Sequence, residues 1–444
     1  MFVVSILYCI LIIILSVFIV GASKRSVKIW LLSPTILMLI YFLLVIFPGI
    51  FLHVSSRAME LGLAAYALWL FGTLGGIYCA GLLTPGYDRS SGNHAAFGNA
   101  RIFWFFVLLA IPSVTLTFMM FGRIPLLMGL SALFSDASDL SMNDARRMNT
   151  LTHRRGDTVY FGQGYLRQIY TVVSPVFLTA LYVLKKESSS AGSIRAIKYM
   201  MLFLVFSAAA NGQIWVAVNV ILLFTLGHFM VVARASGHRS FAKLILRGAY
   251  AYCALLAFIF LYRYLQFLQG RQFDSFFLDT LRRIYQPGAI ELFEIFPGEI
   301  PFRYGATWLN DLSGMLPGSV ESFAYEVHYL VHGGGWGFTF SPGIVASTYV
   351  NFGFPGVILV GFLFSLLFTF IFEKLTRGRS AMRLAIAIYI SLYFMLAMPG
   401  DLTSYVVCLT TAALMYFAYV IFNSVGSIFK MKRLRSTPVG SSKF

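Results

Sequence analysis

A chain of 444 residues that is 59% hydrophobic and only 11% charged, with a mean hydropathy of +0.79, is excluded from the soluble globular class. Its formal net charge of +17 is, in so apolar a chain, an orientation signal for a membrane protein and calls for no nucleic-acid partner. Cys9, Cys79, Cys253 and Cys408 all lie inside apolar runs as small hydrophobes, so no disulfide framework is implied.

Backbone groups in lipid must be satisfied within their own segment, and apolar runs of about 20 residues have the length of helices rather than of barrel strands. The chain reads as one integral-membrane domain over residues 1–444, an all-α polytopic membrane protein. Eleven spans are expected, at approximately 2–20, 29–52, 61–83, 102–121, 165–184, 197–210, 213–232, 248–265, 344–372, 384–398 and 402–425. The first lacks a basic leader and a small-residue cleavage site and is read as a retained span. The sixth and seventh are joined only by Asn211 and Gly212, which predicts a tight turn; one fused helix would invert everything downstream.

Alternating these spans places the N-terminus outside and the C-terminus inside. Lys24, Lys28, Lys185, Lys186, Lys198, Lys243, Lys374, Lys430, Lys432 and Lys443, all the lysines there are, then fall on one side, which is the cytoplasm. Twelve arginines join them, with only Asp88, Glu187 and Glu373 as acids. The outer side carries twelve arginines, no lysine and fourteen acids. Orientation explains the first group and leaves the second unexplained. Arginine without lysine suggests planar, bidentate recognition of phosphate or carboxylate, which a point charge does less well.

Two outer segments are too long to be plain connections: 122–164 and 266–343. The first carries Arg146, Arg147, Arg154 and Arg155; the second carries Arg282, Arg283 and Arg303. An outer arginine can simply pair with an outer acid, and Asp279 and Arg283 have the spacing for it, one helical turn. Adjacent guanidinium groups without adjacent acids repel unless an anion sits between them, which favours a phosphate-bearing ligand at the outer surface. Residues 273–285 read as an interfacial helix, with Phe273, Phe277, Leu281 and Ile284 on one side and Ser275, Asp279, Arg282 and Arg283 on the other.

A second helix is expected over 319–332, capped by Ser319. It lines up Glu321, Tyr325, His328 and His332 on one face and Phe323, Val327 and Leu330 opposite. His328 and His332 have the spacing of a metal pair but no third ligand in view. The preferred reading is His328 as general base for a sugar hydroxyl, oriented by Glu321 or Glu326. No Walker loop, dinucleotide fingerprint, nucleophile elbow or Cys-x-x-Cys pair occurs.

Three stretches carry a family resemblance: ARRMNTLTHRRG with FGQGYLRQIYTVVSPVFLTALYVL within 145–184, LRRIYQPGAIELFEIFPGEIPFRYGATWLNDLSGMLPG at 281–318, and TYVNFGFPGVILVGFLFS at 348–365. The chain resembles the bacterial oligosaccharide repeat-unit polymerases, the Wzy-type O-antigen and exopolysaccharide polymerases. It departs from that pattern at AAANGQIW, 208–215, where Gln213 stands in place of an arginine often found in similar proteins.

The resemblance implies a GT-C-like glycosyltransferase of the bacterial cytoplasmic membrane that needs neither a nucleotide sugar nor another cofactor. Its substrates would be undecaprenyl-diphosphate-linked glycans in membrane lipid, and a chain-length regulator and a flippase would be its partners. The arginines would stabilise the departing lipid diphosphate. A glycan ligase would use the same logic with a different acceptor. A lipid-linked oligosaccharide flippase predicts charge within the spans and an internal repeat; the spans carry almost no charge and no convincing repeat relates the halves.

Overall fold

A computed structural model describes residues 2–27, 29–53, 56–84, 97–121, 124, 126–127, 163–187, 191–211, 214–236, scattered positions within 250–264, 276–285, 287–313, 323–333 and 340–435. Among the described residues the architecture is all-helical, with no strand and one isolated bridge between Phe97 and Ser380. Eight helices are long and apolar enough to cross a membrane. Six of them are α1 (Val3–Ser26), α2 (Pro34–Leu52), α3 (Ser56–Leu83), α4 (Ala100–Met119), α5 (Leu166–Glu187) and α7 (Trp215–Arg234). The other two are α11 (Ile344–Thr376) and α13 (Leu402–Val425). Between α5 and α7 stands α6 (Ala191–Ala210), whose first turns carry Arg195 and Lys198. The expected span 248–265 lies mostly outside the described residues.

The third helix starts at Ser56 against an expected 61 and the sixth at Ala191 against 197, and the second starts late for a local reason. The second begins at Pro34 rather than 29, because Ser33 caps it and accepts from Ile36 N–H at 3.4 Å, while proline at the first helical position has no N–H to leave unpaired. The tenth, α12 (Ala381–Leu396), has 16 residues, about 24 Å of helix. It is apolar on every face and packs against α2, α5, α7, α11 and α13. A helix hydrophobic all round belongs in the middle of a bundle, and α12 is the hub of this one.

The tight turn at Asn211 is present: α6 ends at Ala210, and α6 and α7 pack side by side instead of continuing as one rod. Parallel pairing of α5 with α7 requires it. Tyr182 bonds His228 at 2.8 Å and, one turn further on in both helices, Arg234 pairs with Glu187 at 3.2 Å. Two helices that run the same way must be joined by one that runs back.

The longest contact in the bundle is between α3 and α11, which also run parallel. A Cβ on Gly72 would stand 2.2 Å from the Ile358 carbonyl oxygen, and one on Gly76 2.4 Å from that of Phe362. From the other side, a Cβ on Gly361 would meet the Trp69 carbonyl oxygen at 2.7 Å. In lipid there is no hydrophobic force between helices, so small residues that let backbones touch take over that role. At the far end Arg377 donates to the Thr84 carbonyl at 3.0 Å, a cation on the last turn of α3.

Candidate functional site

The described parts of 266–343, expected on the outer side and called the outer segment for that reason, fold as short helices: α8 (Phe276–Ile284), a single turn at Leu292–Ile295, α9 (Ala306–Ser313) and α10 (Phe323–His332). The segment is seated on the bundle. Tyr66 donates to the Pro287 carbonyl at 3.0 Å, Ala289 N–H to the Pro342 carbonyl at 3.0 Å, and Tyr349 to the Phe296 carbonyl at 3.1 Å. Phe293 is buried against Tyr349, ring centroids 4.9 Å apart.

The centre of the arrangement is a break in α11. Gly353 has φ 64 and ψ −164, a conformation reserved for glycine, and Pro355 follows it. Pro355 has no N–H to offer the Asn351 carbonyl one turn earlier, and the break takes away the partner of the Val350 carbonyl. Both residues are fully buried, so these acceptors need partners from elsewhere. The outer segment supplies them: Arg303 N–H reaches the Val350 oxygen at 2.9 Å and Tyr304 N–H the Asn351 oxygen at 3.0 Å.

The Asn351 side chain completes the clasp. Its Oδ1 accepts from Gly305 N–H at 2.9 Å, and its Nδ2 donates to Thr307 Oγ1 at 2.6 Å and to the Ser347 carbonyl at 2.8 Å. Trp308 Nε1 adds a bond to Ser347 Oγ at 2.8 Å. Two of the stretches that carry the family resemblance, 281–318 and 348–365, thus meet in space. Tyr304 emerges with φ 48 and is 80% exposed. A non-glycine residue in the left-handed region carries backbone strain, and such strain clusters at functional sites.

Arg303 forms an ion pair with Glu326 of α10. Glu326, one of the two carboxylates expected to orient His328, is thus engaged by Arg303. Two residues apart on a helix, Glu326 and His328 point about 160° from one another. Tyr329, one turn from Glu326 and 67% exposed, shares the side of the ion pair. The apolar face of α10 is as expected: Phe323 and Val327 are buried and Leu330 packs on the core.

α10 starts at Phe323 in the described chain, and Asp311 caps it from a different helix, Oδ1 accepting from Phe323 N–H at 2.8 Å. Asp311 is 4% exposed. Burial pushes its carboxyl up to about 6; the Phe323 bond works against that rise and the charge of Asp401 adds to it. Glu291 is also raised by burial, against a backbone bond that lowers it. A carboxyl raised to about 6, as that of Asp311 is, has the acid–base range that proton transfer near neutral pH requires.

Of the expected site residues, Arg303 and His328 are placed on one connected unit. Arg282 and Arg283 lie on α8, which presents the amphipathic helix expected there, and His332 ends α10. Arg146, Arg147, Arg154, Arg155, Ser319 and Glu321 lie outside the described residues. Among the described residues no three metal-ligating side chains come together. Sequence reasoning missed the clasp residues Ser347, Thr307 and Trp308 and the capping role of Asp311. An asparagine, a glycine and a proline at alternate positions of an apolar run (Asn351, Gly353, Pro355) are the signal that a helix breaks there and needs outside partners. No protein-family model, no curated protein and no solved structure matches this chain.

Proposed function

We propose that the chain is a glycosyltransferase that polymerises undecaprenyl-diphosphate-linked repeat units at the outer face of a bacterial cytoplasmic membrane, built on about eleven spans of GT-C-like arrangement with the N-terminus outside. The observation that carries this reading is the clasp at Asn351, where an outer segment bearing Arg303, Tyr304 and the His328 helix is locked onto the mouth of a broken membrane helix. Broken helices at membrane depth occur where backbone is buried in protein or lines a cavity, a geometry suited to a lipid-borne headgroup.

In the reaction, a hydroxyl oxygen of the distal sugar on one lipid-linked unit attacks the anomeric carbon of the growing chain. The bond from that carbon to the carrier's diphosphate oxygen breaks, and undecaprenyl diphosphate leaves with the electron pair. The hydroxyl proton passes to a protein base. Arg146, Arg147, Arg154, Arg155, Arg282, Arg283 and Arg303 would meet the charge developing on the diphosphate. His328 is the proposed base, with Glu321 as its proposed orienting carboxylate; Asp311 and Glu291 are the carboxyl groups that follow it in rank. A base of this kind contributes on the order of 10² to 10⁴ in rate.

Deletion of the gene followed by electrophoresis of the surface glycan tests the function. Single-repeat product supports it; accumulated polymer with an undecorated acceptor points to a ligase, and loss of exported glycan to a flippase. His328→Gln keeps size and hydrogen bonding but not basicity, and should give a membrane-inserted protein that makes only single-repeat product. Normal polymer from that variant removes His328 from the mechanism.

A further inference from the structure

Between α3 and α11 runs an open apolar groove of about 490 Å³, lined by Phe71, Gly75, Tyr78, Pro355, Leu359 and Phe362 among others. Two glycines of α3, Gly72 and Gly75, line it; packing accounts for Gly72, as for Gly76 beside the groove, because their added Cβ atoms would strike backbone oxygens of α11. Gly75 is different. A Cβ there would meet only the ring edge of Phe362, at 3.2 Å and 3.7 Å, and no backbone atom within 4 Å. Gly75 thus faces a side chain of α11 and not its backbone, so a larger residue there would fill the groove before it prised the helices apart. What a bare Gly75 does is leave the groove open.

The groove lies within the stretches of both helices that are apolar and long enough to cross a membrane, so its occupant is hydrocarbon. Seven residues of helix give it a length of about 10 Å, room for part of one extended chain. Its upper end is Pro355, two residues past Gly353, where the Arg303–Tyr304 segment is bonded to α11. A lipid chain lying in the groove therefore brings its headgroup to the end of the molecule that carries the clasp.

We propose that this groove binds the polyprenyl chain of the lipid-linked substrate, with the diphosphate at the Arg303 end; the identity of the chain rests on the polymerase reading above. Gly75 is the residue that admits the chain, and Leu359 and Phe362 form the opposite wall.

The test uses the full-length protein in nanodiscs of phosphatidylethanolamine and phosphatidylglycerol, with undecaprenyl phosphate bearing a photoreactive group within its chain as the probe. Expected are adducts within 71–78 or 355–362 that excess unlabelled undecaprenyl phosphate suppresses and excess phosphatidylglycerol does not. Gly75→Leu should cut these adducts about tenfold, the loss that follows when about two methylene groups lose burial. Leu359→Trp, which fills the groove from the other wall, should do the same if Gly75→Leu fails to accumulate. A leucine that merely faced bulk lipid would change nothing.

Adducts elsewhere, undiminished adducts in an accumulating variant, or equal labelling by a photoreactive phosphatidylglycerol would each overturn the proposal, the last meaning that ordinary bilayer lipid fills the groove. Selective adducts combined with normal polymer in the deletion strain would keep the polyprenyl slot and discard the polymerase reading. Single-repeat product in that strain without selective adducts would do the reverse.

Discussion

Helix α11 is held in two different ways on either side of Gly353. Past the break it packs on α3 through glycines, backbone against backbone, with no side-chain hydrogen bond between the two helices at Gly72, Gly76 or Gly361. Before the break it is held by directed polar bonds through Ser347, Val350 and Asn351 to the outer segment. The contrast follows from what each half has to satisfy. An unbroken helix pairs its own backbone and needs only close surfaces, whereas a broken one exposes acceptors that another segment must meet. The same helix therefore serves as a rigid strut at one end and as a receptor for the outer segment at the other.

The comparison breaks first at the glycine contacts. Gly76→Val, and Gly72→Val equally, should cost about 3 kcal/mol or more, because the added carbons would strike backbone that cannot rotate away. Neither variant should yield monodisperse protein in detergent, as judged by size-exclusion yield. Well-behaved Gly76→Val at native levels would mean that the two helices are not in backbone contact.

Next comes the clasp. Asn351→Ala removes one acceptor and two donated bonds from a fully buried site and should cost about 2–3 kcal/mol, felt locally. Amide hydrogen exchange should rise across 303–308 and stay unchanged in the glycine-packed part of α3. A uniform rise along both would show that the two halves of α11 melt as one and that the contrast drawn above is false.

Asp311 sharpens the comparison by pH. Its carboxyl is raised to about 6, so the folded state holds that proton more tightly than the unfolded chain does. The sign is that stability from this group is complete below about pH 4, falls as pH rises toward about 6, and is flat beyond. Asp311→Asn keeps the acceptor for Phe323 N–H and abolishes the charge. It should remove the dependence over that window and gain on the order of 1–3 kcal/mol at pH 7. Unchanged pH dependence of thermal unfolding in the variant would assign the effect to another group.

The smallest structural effect is expected at Arg303. Its ion pair is 38% and 40% exposed at the two side chains and is worth roughly 0–1 kcal/mol. Arg303→Lys should leave the fold intact, yet if the guanidinium grips a diphosphate, polymer length should suffer nearly as much as in Arg303→Ala. Full-length polymer from the lysine variant would reduce Arg303 to a partner of Glu326.

Eight of the eleven expected spans were legible because lipid imposes a strong, local rule: apolar runs of the right length must be helices, and the described ends of those eight fall within about six residues of the apolar limits. The turn at Asn211 was legible from charge alone, and parallel packing of α5 and α7 agrees with it. What local pattern could not give were pairings distant in sequence. Gly72 and Gly76 read as ordinary glycines until Ile358 and Phe362 are set against them. Asp311 read as one acid among fourteen on the outer side, and only the fold makes it the cap of a helix that begins 12 residues later. The stripe on α10 was found by its period, but the period carries no information about Arg303, which claims Glu326 from the other side.

The break at Gly353 has a consequence for how the chain is made. Residues 303–308 are synthesised before α11 emerges, yet α11 cannot finish its own backbone bonding at Val350 and Asn351 without them. Each carbonyl left unmet in apolar surroundings costs several kcal/mol. Completion of this helix is thus conditional on the prior delivery of that segment, and a chain truncated or mis-threaded in 281–318 would stall at α11 instead of merely lacking a loop. The clasp is in this sense a quality check on biogenesis, written into the sequence as an asparagine, a glycine and a proline.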